Sequence, residues 1–153
     1  MTDLCIREAQ EHDIPSIVAL LAADALGRHG DTTAPDALPD YVAAFRQIAA
    51  SPNDTLYVAE VDGAVVGTFQ TTMIISLLAR GSKSLTIEAV HTSAEMRGKG
   101  IGAAMMRFAI EQARGAGARL VQLSSNNARS DAHRFYEQLG FVRSHAGFKM
   151  KLG

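Results

Sequence analysis

One stretch constrains this chain more than any other: Val90-His91-Thr92-Ser93-Ala94-Glu95-Met96-Arg97-Gly98-Lys99-Gly100-Ile101-Gly102. A strand-like run, Leu85 to Val90, leads into it, and a helix-like run, Ala103 to Arg114, leaves it. Between them lies a basic, glycine-rich loop. The first amides of the helix have no intrahelical acceptor, and the helix dipole is positive at that end. With glycines there, no side chain blocks close approach, so the loop reads as a pocket for phosphate. A strand that passes through such a loop and restarts as a helix commits this region to a β-loop-α crossover.

Two familiar phosphate loops do not fit. The dinucleotide fingerprint needs G-x-G-x-x-G directly after the strand and an acidic residue at the end of the next one. Here the glycines fall at 98, 100 and 102, several residues beyond the strand, and the next strand-like run, Arg119 to Leu123, ends in Ser124 and Ser125. The P-loop needs Ser or Thr after its lysine to hold magnesium, but Lys99 is followed by Gly100.

The pattern that does fit is Arg-x-x-Gly-x-Gly, spanning Arg97 to Gly102. A second segment, Ala132-His133-Arg134-Phe135-Tyr136-Glu137-Gln138-Leu139-Gly140-Phe141, reads A-x-x-F-Y-E-x-x-G-F. Together, in this order and at this spacing, the two resemble the signatures of the GNAT family of N-acetyltransferases.

The remainder of the chain sets bounds. Its 153 residues suit a single domain, expected to cover 1–153, with 47% hydrophobic and 20% charged residues as in an ordinary globular protein. The net charge of −1 lacks the basic surplus that non-specific nucleic-acid binding needs. Apolar runs such as Ile17 to Ala23 are too short to span a bilayer. Met1 to Glu8 lacks the basic-then-apolar start of a signal peptide, so a cytoplasmic protein is expected. Cys5 is the sole cysteine and is expected to be a small buried hydrophobe in the first strand. His12, His29, His91, His133 and His145 show no metal-ligand spacing, so no metal is expected.

Leu4 to Ala9 reads as a strand, followed by a helix capped by Asp13, with Ile14, Ile17, Val18, Leu21 and Ala25 on its core face. Gly27 to Pro39 is an irregular loop, and Tyr41 to Ala50 a second helix with Val42, Phe45 and Ala49 on one side. Thr55–Val61 and Ala64–Thr72 form a hairpin through Asp62-Gly63, a strong short-range hairpin signal. Met73 to Ser84 ends that strand in a turn, and Leu85 to His91 is the next strand. Ile101 to Arg114 is a helix closed by Gly115 and Gly117, with Met105, Met106 and Phe108 as core. Arg119 to Ser124 is a strand and Asp131 to Leu139 a helix capped by Gly140. Phe141–His145 and Phe148–Leu152 are expected to complete the sheet. The fold class is α+β: three layers, with a mixed, mostly antiparallel central sheet and helices on both faces. The resemblance implies the acyl-CoA N-acyltransferase fold, in which the strands matching Leu85–His91 and Arg119–Ser124 splay apart and the cofactor lies between them.

It also implies acetyl-CoA as co-substrate. The loop residues Arg97, Gly98, Lys99, Gly100, Ile101 and Gly102 would hold the pyrophosphate, with charge-assisted contacts from Arg97 and Lys99 and close backbone approach at the glycines. A pantetheine arm carries amides and docks like a strand, so main-chain groups of Val90, His91 and Thr92 are assigned to it. Acetyl transfer to an amine needs two proton movements. An ammonium with a pKa of about 8–10 must lose a proton, and a thiolate titrating near ~8.5 must gain one. A phenol near ~10 is a suitable donor. The resemblance gives that role to Tyr136, while Phe135 packs. Glu88, in an apolar strand, reads as a general base through a water or as an anchor for the acceptor's ammonium. Relatives often carry Asn three residues before the Ala of A-x-x-F-Y. Here that position is Arg129, so either Asn127 takes over the contact with the arm or Arg129 reaches a phosphate.

The expected enzyme is an N-acetyltransferase (an acyltransferase) acting on a primary amine of a small molecule. A protein N-terminal or lysine acetyltransferase and a non-catalytic acyl-CoA-binding regulator are the alternatives. Expected partners are the amine alone, with no nucleic acid and no membrane, and a homodimer is allowed. The Gly27–Asp40 loop, the second helix and the Ser76–Ser84 turn are expected around the acceptor.

Overall fold

The computed structural model describes residues 3–24 and 29–153. Among these, five strands make one sheet in the order β1 (Leu4–Glu8), β2 (Asp54–Val61), β3 (Ala64–Ile75), β4 (Lys83–Thr92) and β5 (Leu120–Leu123). The first four run antiparallel to their neighbours, and β5 joins β4 in parallel. The helices are α1 (Ile14–Ala22), α2 (Leu38–Ala50), a single turn α3 (Leu78–Gly81), α4 (Ile101–Gly115) and α5 (Ser130–Gln138).

Alternation along the central strands builds a separate core on each face. On one, Val58 packs with Ile14, Ile17 and Val18 of α1, backed by Tyr41, Val42 and Phe45 of α2. On the other, Tyr57, Ala59, Phe69, Leu85 and Ile87 meet Ile101, Met105, Met106, Ala109 and Ala113 of α4, with Phe135, Tyr136 and Leu139 of α5 at the margin. Helices thus cover both faces of a mixed sheet, an α+β fold. The Tyr57, Phe69 and Phe108 rings stack or meet edge-on, with centroids 4.9 and 5.2 Å from Tyr57. Asp62 (φ 51°) and Gly63 (φ 81°) both sit in the left-handed region, as a two-residue hairpin turn requires. After α4, Gly117 (φ 78°) lets the Ala118 amide donate back to the Ala113 carbonyl, ending the helix.

Several expectations are corrected. Asp13 does not cap α1 with its side chain. Its buried carboxylate instead accepts two bonds from Arg7 (2.8 and 3.0 Å) and one from the Gln10 amide (2.7 Å), tying β1 to the start of α1. Helix α2 begins at Leu38, because Pro39 falls in the first turn, where its missing N–H costs nothing. Within α2, Ala49 is exposed, and Ile48 is half-buried along with Tyr41, Val42 and Phe45. Cys5 is exposed: β1 turns Leu4 and Ile6 toward the α4 core and leaves Cys5 on the opposite side of an edge strand. Phe141–His145 and Phe148–Leu152 form no strands; the chain beyond Phe141 pairs with none of the described strands. Alternation marks a strand only when an edge is available to pair with it. Ala25, Gly27 and Arg28, read as parts of the first helix and the loop after it, lie outside the described residues.

Candidate functional site

The sheet opens where the motif begins. Strand β4 pairs with β5 only from Ser84 to Ile87, while its pairing with β3 continues to Thr92. From Glu88 to Thr92, the side of β4 facing β5 therefore has no strand neighbour, and the main-chain groups there are available for another partner.

A bulge reshapes this free edge. Thr68 pairs with His91 and Gln70 with Glu88, so Phe69 faces two residues, Ala89 and Val90. Ala89 holds φ 53°, an uncommon conformation for a residue with a Cβ. The extra residue resets the alternation. Val90 joins Ile87 against the α4 core, and His91 turns toward the end of α1, where its Nδ1 lies 3.9 Å from Asp24 Oδ2. Without the bulge, Glu88 and His91 would point to opposite faces; with it, they share one.

Past Thr92 the Ser93 amide donates to the Val66 carbonyl (2.8 Å), and a short 3-10 turn, Ala94–Met96, carries the chain to the loop. Ser93 Oγ is buried with no hydrogen-bond partner among the described residues. Gly98 (φ 77°) and Gly100 (φ 83°) are left-handed, and a Cβ at either would meet nothing within 4 Å. Gly100 is the N-cap of α4, so the helix has no side-chain cap and its first amides stay open to an anion. Arg97 and Lys99 are exposed beside it. Gly102 differs from the other two: a Cβ there would lie 3.3 Å from Phe135 Cζ, so its smallness serves the seating of α5.

That contact brings the two sequence motifs together. With Phe135 lying over the first turn of α4, Tyr136 is held edge-on between Phe135 (5.2 Å) and Phe141 (5.8 Å). Burial raises the Tyr136 phenol above its ordinary value of 10.0, with the Arg129 charge opposing. Glu88 is exposed, at the first β4 position past the β5 pairing.

Arg129, immediately ahead of α5, gives both Asp24 carboxylate oxygens a bond from Nη2 (2.9 and 2.7 Å), joining residues 105 apart in sequence. This bridge holds α5 to the end of α1. Asp24 carried no sequence signal, since its importance depends on that distant contact. His91 sits within the same group, and burial depresses its pKa below 6.5 against the opposing pull of Asp24. Asn126 accepts from the Ala128 amide (2.8 Å) and shapes the turn into α5, while Asn127 Oδ1 takes a long bond from Arg143 (3.4 Å). In the loop before α2, Asp31 accepts from the Tyr41 hydroxyl (2.8 Å), which fixes one of the acids near the expected acceptor site. A depression lined by Glu11, His12, Ile14, Pro15, Leu38 and Val42 involves neither the loop nor α5. No cluster of metal-ligating residues occurs among the described residues, nor any helix long and apolar enough to cross a membrane.

Comparison with known proteins agrees with this geometry. The model of the acetyltransferase (GNAT) family matches residues 14–141. The chain is 49% identical over 57 residues to an aminoalkylphosphonate N-acetyltransferase of Salmonella typhimurium, covering 37% of each. It is 45% identical over 59 residues to an uncharacterized N-acetyltransferase of Bacillus subtilis, 38% of this chain and 42% of that one. The matches thus span well under half the length of these curated relatives. Among solved structures, one from Bacillus halodurans described as a transcriptional regulator superposes at a TM-score of 0.94 with 42% identity, over 98% of this chain and 100% of that one. With both motifs seated at one opening in the sheet and the family model spanning most of its length, this chain belongs to the GNAT acetyltransferase family.

Proposed function

We propose that this protein is an acetyl-CoA-dependent N-acetyltransferase that moves the acetyl group to a primary amine of a small molecule by direct attack. The observation that carries this reading is the seating of Phe135 on Gly102, which brings the Arg97–Gly102 loop and the Phe135-Tyr136 segment side by side. The loop's open helix amides, with Arg97 and Lys99 beside them, suit a diphosphate. The unpartnered β4 edge at Val90–Thr92 suits an extended arm that carries amides.

When bound, the thioester supplies an activated acetyl group. This chain's residues orient it and manage protons. Tyr136, kept protonated by burial, delivers a proton to the departing sulfur. Glu88, on the open edge, takes a proton from the amine through a water or holds the ammonium. Arg129 acts by fixing α5 to Asp24, and so sets where Tyr136 stands. Asn127 remains the side chain assigned to the arm.

One observation favours a second reading. The Bacillus halodurans relative is described as a transcriptional regulator, so a module that binds acyl-CoA without turnover is the competitor. Free-thiol release from acetyl-CoA across an amine panel separates the two. The enzyme reading expects amine-dependent release and its loss in Gly100→Glu, where a carboxylate meets the diphosphate and a Cβ meets a left-handed backbone. Calorimetry showing undiminished acetyl-CoA affinity in Gly100→Glu sinks the loop assignment, and no release with any amine sinks the enzyme.

A further inference from the structure

Granted the acetyl transfer proposed above, we infer that His91 is the base for the acceptor amine: its ring takes the ammonium proton, while Glu88 holds the ammonium beside it. Both side chains reach one face of β4 only because of the bulge at Ala89 and Val90. The bulge keeps Ala89 at φ 53°, a costly conformation that persists only where the surrounding structure enforces it. With the bulge in place, Glu88 and His91 stand two strand positions apart, roughly 7 Å. An arm laid from the Arg97–Gly102 loop back along Thr92 and Val90 would bring its thioester to that gap.

The surroundings of His91 suit a ring that gains and loses a proton. Its side chain is 17% exposed, and Asp24 Oδ2 lies 3.9 Å from Nδ1, beyond hydrogen-bond reach, so this pair acts through charge. Arg129, ahead of α5, steadies that carboxylate with two bonds. From the loop before α2, Asp31 adds a second negative charge, while His29 opposes it together with Arg129. Strand β3 brings no charge: Thr68 stands opposite His91 and donates its hydroxyl to the Tyr57 carbonyl (2.8 Å). Burial keeps the ring neutral at neutral pH, the form able to accept a proton. A base works best with its pKa near the operating pH, which favours an imidazole over an exposed carboxylate. In the reaction the ammonium N–H bond breaks and its proton passes to the His91 ring, where the Asp24 charge steadies the imidazolium. The freed lone pair attacks the thioester carbonyl and forms the C–N bond. As the C–S bond breaks, Tyr136 protonates the sulfur. The surplus proton on the new amide nitrogen returns to the Tyr136 phenolate through water, and the imidazolium releases its own to solvent.

The test is free-thiol release from acetyl-CoA with the fastest amine of a panel that includes ethanolamine, benzylamine, glucosamine and spermidine. His91→Gln should lower kcat by about 100-fold or more while the KM for acetyl-CoA stays unchanged. In His91→Ala, added imidazole should restore turnover, a recovery that a packing role could not give. A kcat of His91→Gln within error of wild type, or a loss in His91→Ala that imidazole leaves untouched, overturns the role of His91 alone. If both variants fail to fold, wild-type enzyme carrying isotope-labelled histidine decides the matter. The acid limb of its kcat must coincide with the titration of the His91 ring, followed by NMR with acetyl-CoA bound, and a limb elsewhere overturns the assignment. A wild type that releases no thiol with any amine sinks the acetyltransferase reading itself, and the base with it.

Discussion

Tyr136 is placed by its neighbours as much as by its own chemistry. Phe135 and Phe141 meet its ring edge-on from two sides, and α5 is pinned at its start by the Arg129–Asp24 bridge. On the proposed reading the hydroxyl is the one atom of that side chain with a chemical duty, and Tyr136→Phe preserves all of the packing. Steady-state kinetics should then show kcat lowered by about 100-fold or more with the KM for acetyl-CoA unchanged. A kcat within error of wild type removes the phenol from the mechanism. His91 makes a different prediction. Its pKa is depressed in the folded protein, chiefly by burial, so folding favours the neutral ring. The stabilisation is complete above the ordinary value of 6.5 and is lost as pH falls through the depressed one. Thermal midpoints should drop on that acid side, and His91→Gln should flatten this part of the profile.

At the scale of elements, the close approach of α4 to the sheet rests on Gly67. A Cβ at that position would lie 2.9 Å from Met105 Sδ and 3.3 Å from Ile101 Cγ2. Gly67→Ala should therefore cost about 1–3 kcal/mol, seen as a lower urea midpoint at unchanged slope. An unchanged midpoint would mean that Met105 yields without loss. Gly67 also shows where sequence reading stops. The hairpin at Asp62-Gly63, the amphipathic faces of α1 and α4 and the loop after β4 are local and legible, because turn chemistry and periodicity act over a few residues. The bulge at Ala89 is not, since nothing about an alanine announces a positive φ imposed by β3. Gly102 was legible as a glycine, but its contact with Phe135 was not, because that neighbour lies far along the chain. Asp13 had the right residue type for a cap and another occupation, because Arg7 of β1 reaches it first.

For the whole molecule, the same limit explains the tail. Alternation from Phe148 to Leu152 was visible in the sequence, and a completed sheet was the natural expectation, but a periodicity does not say whether an edge is there to pair with it. The fold class, in contrast, followed from element order alone, hairpins first and crossovers after. A further consequence lies in the early parting of β4 from β5. Between Glu88 and Thr92 the sheet forgoes hydrogen bonds that a docked pantetheine arm would restore, so on the proposed reading the small molecule behaves as a removable strand. Heat resistance then becomes a gauge of occupancy. The melting midpoint should climb with the logarithm of acetyl-CoA concentration, corresponding to about 2.7 kcal/mol at a hundredfold excess over Kd. Pantetheine alone should raise it by a smaller amount, and a flat response to pantetheine at every concentration would mean that the main chain there grips nothing.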